Sequence, residues 1–201
     1  MNLEAWRHRL RARLYEFLRR PDQAIAAYRT ALALDPASAQ ATRALAFLLT
    51  SDGHYAEAER HFQAAVRLEP QRAATWFNLG FMYDKQHQPA KAIEAFHEAL
   101  RINPGLDRAW YGMGLCQTAL GQHEAAVKSF EQAGQLQPMN PHAWYHLGLA
   151  QHALHRPDKV KEAIEYLHRF DPKMTRQLIH DTGRSDLAHL VADLRNVGRS
   201  D

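Results

Sequence analysis

The stretch that decides the fold runs from residue 73 to residue 106 and reads AATWFNLGFMYDKQHQPAKAIEAFHEALRINPGL. Its first half carries Trp76 and Gly80 on an apolar pattern with steps of three and four residues, and its second half carries Phe96 on another. Such steps predict two amphipathic helices, since strands repeat every second residue. A turn is expected near residues 87–89, and Pro104 closes the stretch because proline cannot continue a helical hydrogen-bond ladder.

The same pattern recurs every 34 residues along the chain. Five prolines mark this period, at positions 36, 70, 104, 138 and 172. They predict five helix–turn–helix repeats, which are 5–38, 39–72, 73–106, 107–140 and 141–174. A C-terminal helical cap is expected at 175–201, because a helical-repeat array needs an atypical end to cover its last apolar face. The apolar residues of its final helix are Leu187, Leu190, Val191, Leu194 and Val197.

Two positions in each repeat indicate how its helices pack. The eighth residue is always small: Ala12, Ala46, Gly80, Gly114 and Gly148. The twenty-fourth is always large: Tyr28, Phe62, Phe96, Phe130 and Ile164. A large side chain set against a small one lets two helices pack closely.

These residues resemble the tetratricopeptide repeat, whose 34-residue signature places Trp, Leu-Gly, Tyr, Ala, Phe, Ala and Pro at fixed positions. The third repeat matches it with Trp76, Leu79, Gly80, Tyr83, Ala92, Phe96, Ala99 and Pro104. The resemblance implies an all-α, right-handed superhelical solenoid whose first helices line a concave groove. It also implies a non-catalytic protein-binding function.

Composition narrows the function classes further. The net charge of +3 is mild for a nucleic-acid binder, which usually concentrates more positive charge on one face. The longest apolar run, residues 44–49, is too short to cross a bilayer. Arginines interrupt the N-terminal apolar residues, unlike a signal peptide, so we expect a cytoplasmic protein. No phosphate loop or nucleophile elbow is present, and we therefore predict no enzymatic activity and no cofactor.

The resemblance places a set of aromatic, basic and amide side chains in the groove. These are Arg43, Phe47, Phe77, Asn78, Phe81, Arg108, Tyr111, Tyr145 and His146. Aromatic residues and arginine are the types that most often dominate binding energy at interfaces. The alternative is that some of these rings, Phe81 and Tyr111 in particular, pack between repeats instead.

Parts of this groove match two more specific kinds of ligand site. Some members of the family hold an acidic C-terminal peptide in a two-carboxylate clamp, and Arg43, Asn78 and Arg108 fall on three clamp positions. Phe47 and Gly112 depart from the clamp pattern, which leaves a general preference for an acidic segment. His142 and His146 have the four-residue spacing of a metal-binding pair, but no third ligand is evident. Histidines in a groove could instead make binding depend on pH.

The sequence thus favours an adaptor or scaffold that binds an extended or helical segment of another protein. A second hypothesis is self-association through the C-terminal helix or the first helix. A third is nucleic-acid or anionic-surface binding through the N-terminal arginines, which are interrupted by apolar residues. Cys116, the single cysteine, lies within an apolar helical pattern and is expected to be a core residue.

Overall fold

The computed structural model describes residues 2–195, with side chains through residue 192. This part of the chain forms eleven α-helices and a terminal 3₁₀ helix, with no strand among them. The all-α helical-repeat architecture is therefore confirmed. The chain divides into two compact units, one ending at Asn103 and the other beginning at Pro104.

The first unit contains three antiparallel helix pairs. Its helices are α1 (Leu3–Phe17), α2 (Pro21–Leu34), α3 (Ala39–Ser51), α4 (Tyr55–Leu68), α5 (Ala73–Lys85) and α6 (Pro89–Ile102). Each first helix packs on the second helix of its own repeat, and α3 and α5 also pack on the second helix before them. The core therefore runs continuously from pair to pair through this unit.

The second unit contains two further helix pairs and the C-terminal segment. Its helices are α7 (Asp107–Ala119), α8 (His123–Leu136), α9 (Pro141–Ala153), α10 (Pro157–His168) and α11 (Pro172–Asp181), followed by the 3₁₀ helix Ser185–Arg195. Pro172 begins α11 instead of ending the preceding helix, so the expected boundary after residue 174 falls inside a helix. Proline is tolerated in a first turn because the amide it lacks would have no helical partner there.

The close approach of small and large side chains is present as the repeat pattern predicts. A Cβ added at Gly80 would lie 2.7 Å from the Phe96 ring, and one added at Gly114 would lie 2.7 Å from the Phe130 ring. Gly148 instead faces Leu178 of α11, again at 2.7 Å. In the last repeat, Leu178 of α11 thus fills the position beside the glycine that a phenylalanine of the second helix fills in repeats three and four.

The end of the chain differs from the regular helix expected there. Leu187 and Val191 are buried and pack with core residues of α10 and α11. The segment is a 3₁₀ helix with a break at Val191, however, where φ is −123°. The side chain of Leu194 is not described, and Val197 lies outside the described residues.

The turns inside the five repeats share one backbone feature that the sequence pattern did not reveal. The residue two positions after each first helix has a positive φ: 54° at Arg19, 80° at Gly53, 56° at His87, 70° at Gly121 and 55° at His155. Glycine adopts this left-handed conformation without strain, whereas arginine and histidine do not. Only the two glycines gave a sequence signal.

Candidate functional site

The tryptophans at the fourth position of repeats three to five fix the start of each first helix. The indole N–H of Trp76 donates to the carbonyl of Pro70, that of Trp110 to Pro104 and that of Trp144 to Pro138, at 2.9–3.0 Å. A buried or half-buried indole N–H needs such an acceptor. These bonds set the helix positions from which the candidate binding residues project.

In the first unit, α3 and α5 present the predicted aromatic residues at matching positions. Phe47 on α3 is 44% exposed, and Phe81, one repeat later on α5, is half-buried. Phe77 packs on Phe96 with 5.8 Å between ring centroids, so part of its surface belongs to the core. The ammonium of Lys85 lies 5.3 Å from the centre of the Phe81 ring.

Internal ion pairs reduce the positive charge predicted for this face. Arg43 bonds Glu69 at 2.8 Å, and its side chain is only 16% exposed. Arg9, at the equivalent position of the first repeat, bonds the Ser38 hydroxyl at 2.8 Å and lies 3.9 Å from Asp35. A sequence signal existed, because each acid follows its arginine by 26 residues and directly precedes a proline.

In the second unit, three predicted residues lie together with a core ring. His146 of α9 has ring centroids 5.7 Å from Tyr111, 5.6 Å from Phe130 and 5.2 Å from Tyr145. Tyr111 also packs on Phe130 at 5.9 Å. Tyr111 and His146 therefore share their surface between the core and the exterior, as the packing alternative anticipated for Tyr111.

The hydroxyl of Tyr145 is bonded to α11, a contact that the sequence did not predict. It donates to the carboxylate of Asp181, and this bond, ahead of burial, raises the pKa of Tyr145 to about 12. Asp181 also accepts from Gln177 and contacts His180. The His180 contact and then the Tyr145 bond lower the pKa of Asp181 to about 2.

The two histidines with metal-binding spacing have different environments. His142 is exposed, whereas His146 lies half-buried among the rings, and burial followed by the charge of His142 lowers the pKa of His146. Within the described residues, no group of three or more His, Cys, Asp or Glu side chains is arranged to hold a metal ion. Cys116 is buried, as expected for a core residue.

Comparison with known protein families identifies the repeat. A family model described as the Cilia and flagella-associated protein 70 C-terminal domain, a tetratricopeptide repeat model, matches residues 37–178. A general tetratricopeptide repeat model matches residues 10–38. The chain belongs to the tetratricopeptide repeat (TPR) family. A search of individually curated proteins found no match.

Solved TPR structures share this fold at low sequence identity. The MamA protein has a TM-score of 0.76 and 21% identity, over 93% of this chain and 98% of its own. YrrB, described as a TPR protein with an unusual peptide-binding site, has a TM-score of 0.74 and 22% identity, over 85% and 89%. PilF of Pseudomonas aeruginosa has a TM-score of 0.74 and 21% identity, over 89% and 82%.

The three residues predicted at carboxylate-clamp positions have different environments. Arg43 is engaged by Glu69, Asn78 is half-buried, and Arg108 is exposed. TPR domains are typically non-catalytic interaction modules. Among the described helices, none is both long and apolar enough to span a membrane.

Proposed function

We propose that this TPR protein is a non-catalytic adaptor that binds a segment of another protein along the exposed faces of its first helices. The observation that carries the proposal is the recurrence of partly exposed phenylalanines at one register of α3 and α5. Phe47 is 44% exposed and Phe81, 34 residues later, is half-buried. Exposed aromatic surface of this kind marks interaction sites.

Each of the two units has its own surface of this kind. The first-unit face consists of Arg43, Phe47, Phe77, Asn78 and Phe81. The second-unit face consists of Arg108, Tyr111, Tyr145 and His146. Because these side chains project from packed helices, little conformational freedom is lost on binding. YrrB, a protein of the same fold with a peptide-binding site, supports a peptide ligand.

The chemistry of the faces favours apolar anchors in the ligand, with acidic residues as a secondary feature. Glu69 already neutralises Arg43, so a ligand carboxylate would have to compete for it. Arg108 and Lys85 are exposed and can contribute long-range attraction. Aromatic contacts would therefore dominate affinity, while the charged residues would set its salt dependence.

Affinity capture with a matched pair of variants tests the first-unit face. Phe47→Ala combined with Phe81→Ala removes the exposed rings, and Arg67→Ala on α4 changes an exposed side chain of the same unit. The amount of each protein captured by the wild type and the control should fall at least about tenfold with the double variant, because an interface hot spot is worth about 2 kcal/mol or more. Capture of the same proteins in equal amounts by all three forms would refute this role.

A second measurement tests the charged residues. With a captured partner in hand, Asn78→Ala and Arg108→Ala should each weaken binding, and Arg108→Ala should reduce its salt dependence. Affinity that is unchanged in both variants over a range of salt concentrations would remove the preference for an acidic segment.

A further inference from the structure

The outward face of α1 carries a continuous apolar stripe. Its members lie three or four residues apart and are between 44% and 83% exposed: Leu3, Trp6, Leu10, Leu14 and Phe17. The opposite side of the same helix is the one that packs on α2, where Ala5 and Ala12 are fully buried. Large apolar side chains aligned on an exposed face indicate an interaction surface.

Arginines border this stripe where later repeats have buried residues. Arg7 and Arg11 are exposed. The residues one, two and four repeats later are buried, namely Ala41 and Leu45, Thr75 and Leu79, and Ala143 and Leu147. In those repeats this side of the first helix packs on the second helix of the preceding repeat. On α1 this side carries positive charge instead, directly beside the apolar stripe.

The positive charge beside the stripe determines which kind of partner can bind this face. Arg7 and Arg11 flank the stripe on one side and Arg13 on the other, and only Arg7 is paired within α1, with Glu4 at 3.1 Å. A second copy would place arginine against arginine, which opposes association. A wholly apolar helix would desolvate the guanidinium groups without compensation. An acidic amphipathic helix matches both the stripe and its border.

We propose that the outward face of α1 docks an acidic amphipathic helix of a partner protein. The partner helix lies along the stripe, between Arg11 on one side and Arg13 on the other. Its leucine-type side chains pack on the stripe, and its carboxylates pair with Arg11 and Arg13. The stripe contains neither Phe47 nor Phe81, and the test below can fail without the adaptor function proposed above failing.

Two synthetic peptides of about the length of α1 test the proposal by calorimetry with the full chain. Both carry leucines on one helical face; one has glutamates on its flanks and the other has lysines. We expect the glutamate peptide to bind at least about tenfold more tightly, a difference of about 1.4 kcal/mol. Leu10→Gln combined with Leu14→Gln should weaken it by a similar factor. Arg11→Glu with Arg13→Glu should reverse the preference between the peptides.

The controls separate this site from its alternatives. Arg67→Glu on α4, and Phe47→Ala with Phe81→Ala, should leave peptide binding unchanged, with helix content of each variant checked by circular dichroism. Equal affinity for both peptides, or no effect of the α1 variants, overturns the proposal. Tighter binding to phosphatidylserine vesicles than to the glutamate peptide, lost in the Leu10/Leu14 variant, would assign the face to membranes instead. A dimer in sedimentation that this variant dissolves would assign it to a second copy.

Discussion

Ser129 of α8 donates its hydroxyl to the side-chain oxygen of Gln117 on α7, at 2.7 Å inside the core. One repeat later the pair is Gln151 and Ala163, and the Gln151 oxygen is buried without a hydrogen-bond partner in the described structure. Both residues line a cavity of about 320 Å³. The two repeats thus have a buried glutamine at the same position, with a serine hydroxyl donor in one repeat and no such donor in the other.

This difference predicts opposite effects of two substitutions on stability. Ala163→Ser should raise the free energy of unfolding by about 1 kcal/mol, because it supplies a donor to a buried acceptor. Ser129→Ala should lower it by about 1–3 kcal/mol, because it leaves the Gln117 oxygen unsatisfied. Urea unfolding measures both. Ala26→Ser, on the exposed side of α2, measures the helix-propensity cost of the same substitution alone. The Ala163→Ser variant should be more stable than the Ala26→Ser variant. Equal free energies of unfolding for the two variants would contradict the prediction.

Gly80 is expected to be required for packing. Gly80→Ala gains about 1 kcal/mol of helix propensity, but its Cβ would meet the Phe96 ring at 2.7 Å. Overpacking of a core costs about 1–3 kcal/mol, so we expect a net loss of stability near 1 kcal/mol. Adding Phe96→Leu should remove the clash and give a favourable coupling energy in a double-mutant cycle. A Gly80→Ala variant more stable than the wild type would contradict the prediction, because it would show that α5 and α6 move apart at little cost.

Gly121 is expected to be required for a different reason. Its φ is +70°, and an added Cβ would meet nothing within 4 Å, so space is not limiting. Gly121→Ala should still lower the free energy of unfolding by about 1 kcal/mol, since a left-handed conformation costs roughly 1–2 kcal/mol outside glycine. His87→Gly at the equivalent turn should be neutral or stabilising. Thermal unfolding compares the two, and a more stable Gly121→Ala variant would contradict the backbone argument.

The environment of His146 predicts a pH-dependent stability. Burial among Tyr111, Phe130 and Tyr145, followed by the charge of His142, lowers the pKa of His146 in the folded state. The unfolded chain, with a histidine pKa of about 6.5, therefore binds more protons as the pH falls. Stability should be full above about pH 7 and should decrease below the unfolded pKa. His146→Phe should flatten the melting temperature between about pH 7 and 5, whereas His97→Phe, at an exposed site, should not; identical profiles in wild type and His146→Phe would rule out this role.

The repeat and its internal packing could be predicted from the sequence because they depend on contacts of fixed spacing. Gly80 and Phe96 belong to one repeat, and the same pair of residue types recurs at the same separation. The bond from Trp76 to Pro70 is equally local and could have been found from its constant six-residue spacing. Periodic repetition made each of these signals visible several times.

The state of the candidate binding residues was decided by the tertiary structure. The sequence predicts Arg43 as a basic groove residue, but in the structure its guanidinium group is paired with Glu69. Tyr145 is engaged by Asp181 of α11, which lies beyond the last regular repeat and so has no counterpart in the pattern. The apolar stripe of α1 is visible in the sequence, but only the structure shows that its five side chains are exposed.

The amino-acid sequence by itself thus determined the TPR family, the helix pairs and the small-against-large packing, since a 34-residue period repeats every local contact. Only the tertiary structure decided which groove arginine is neutralised, which rings are shared with the core and which helix face remains exposed. Asp181 lies beyond the last regular repeat, and an arginine paired with the acid 26 residues later occurs in only the first two repeats, so neither contact follows from the 34-residue period.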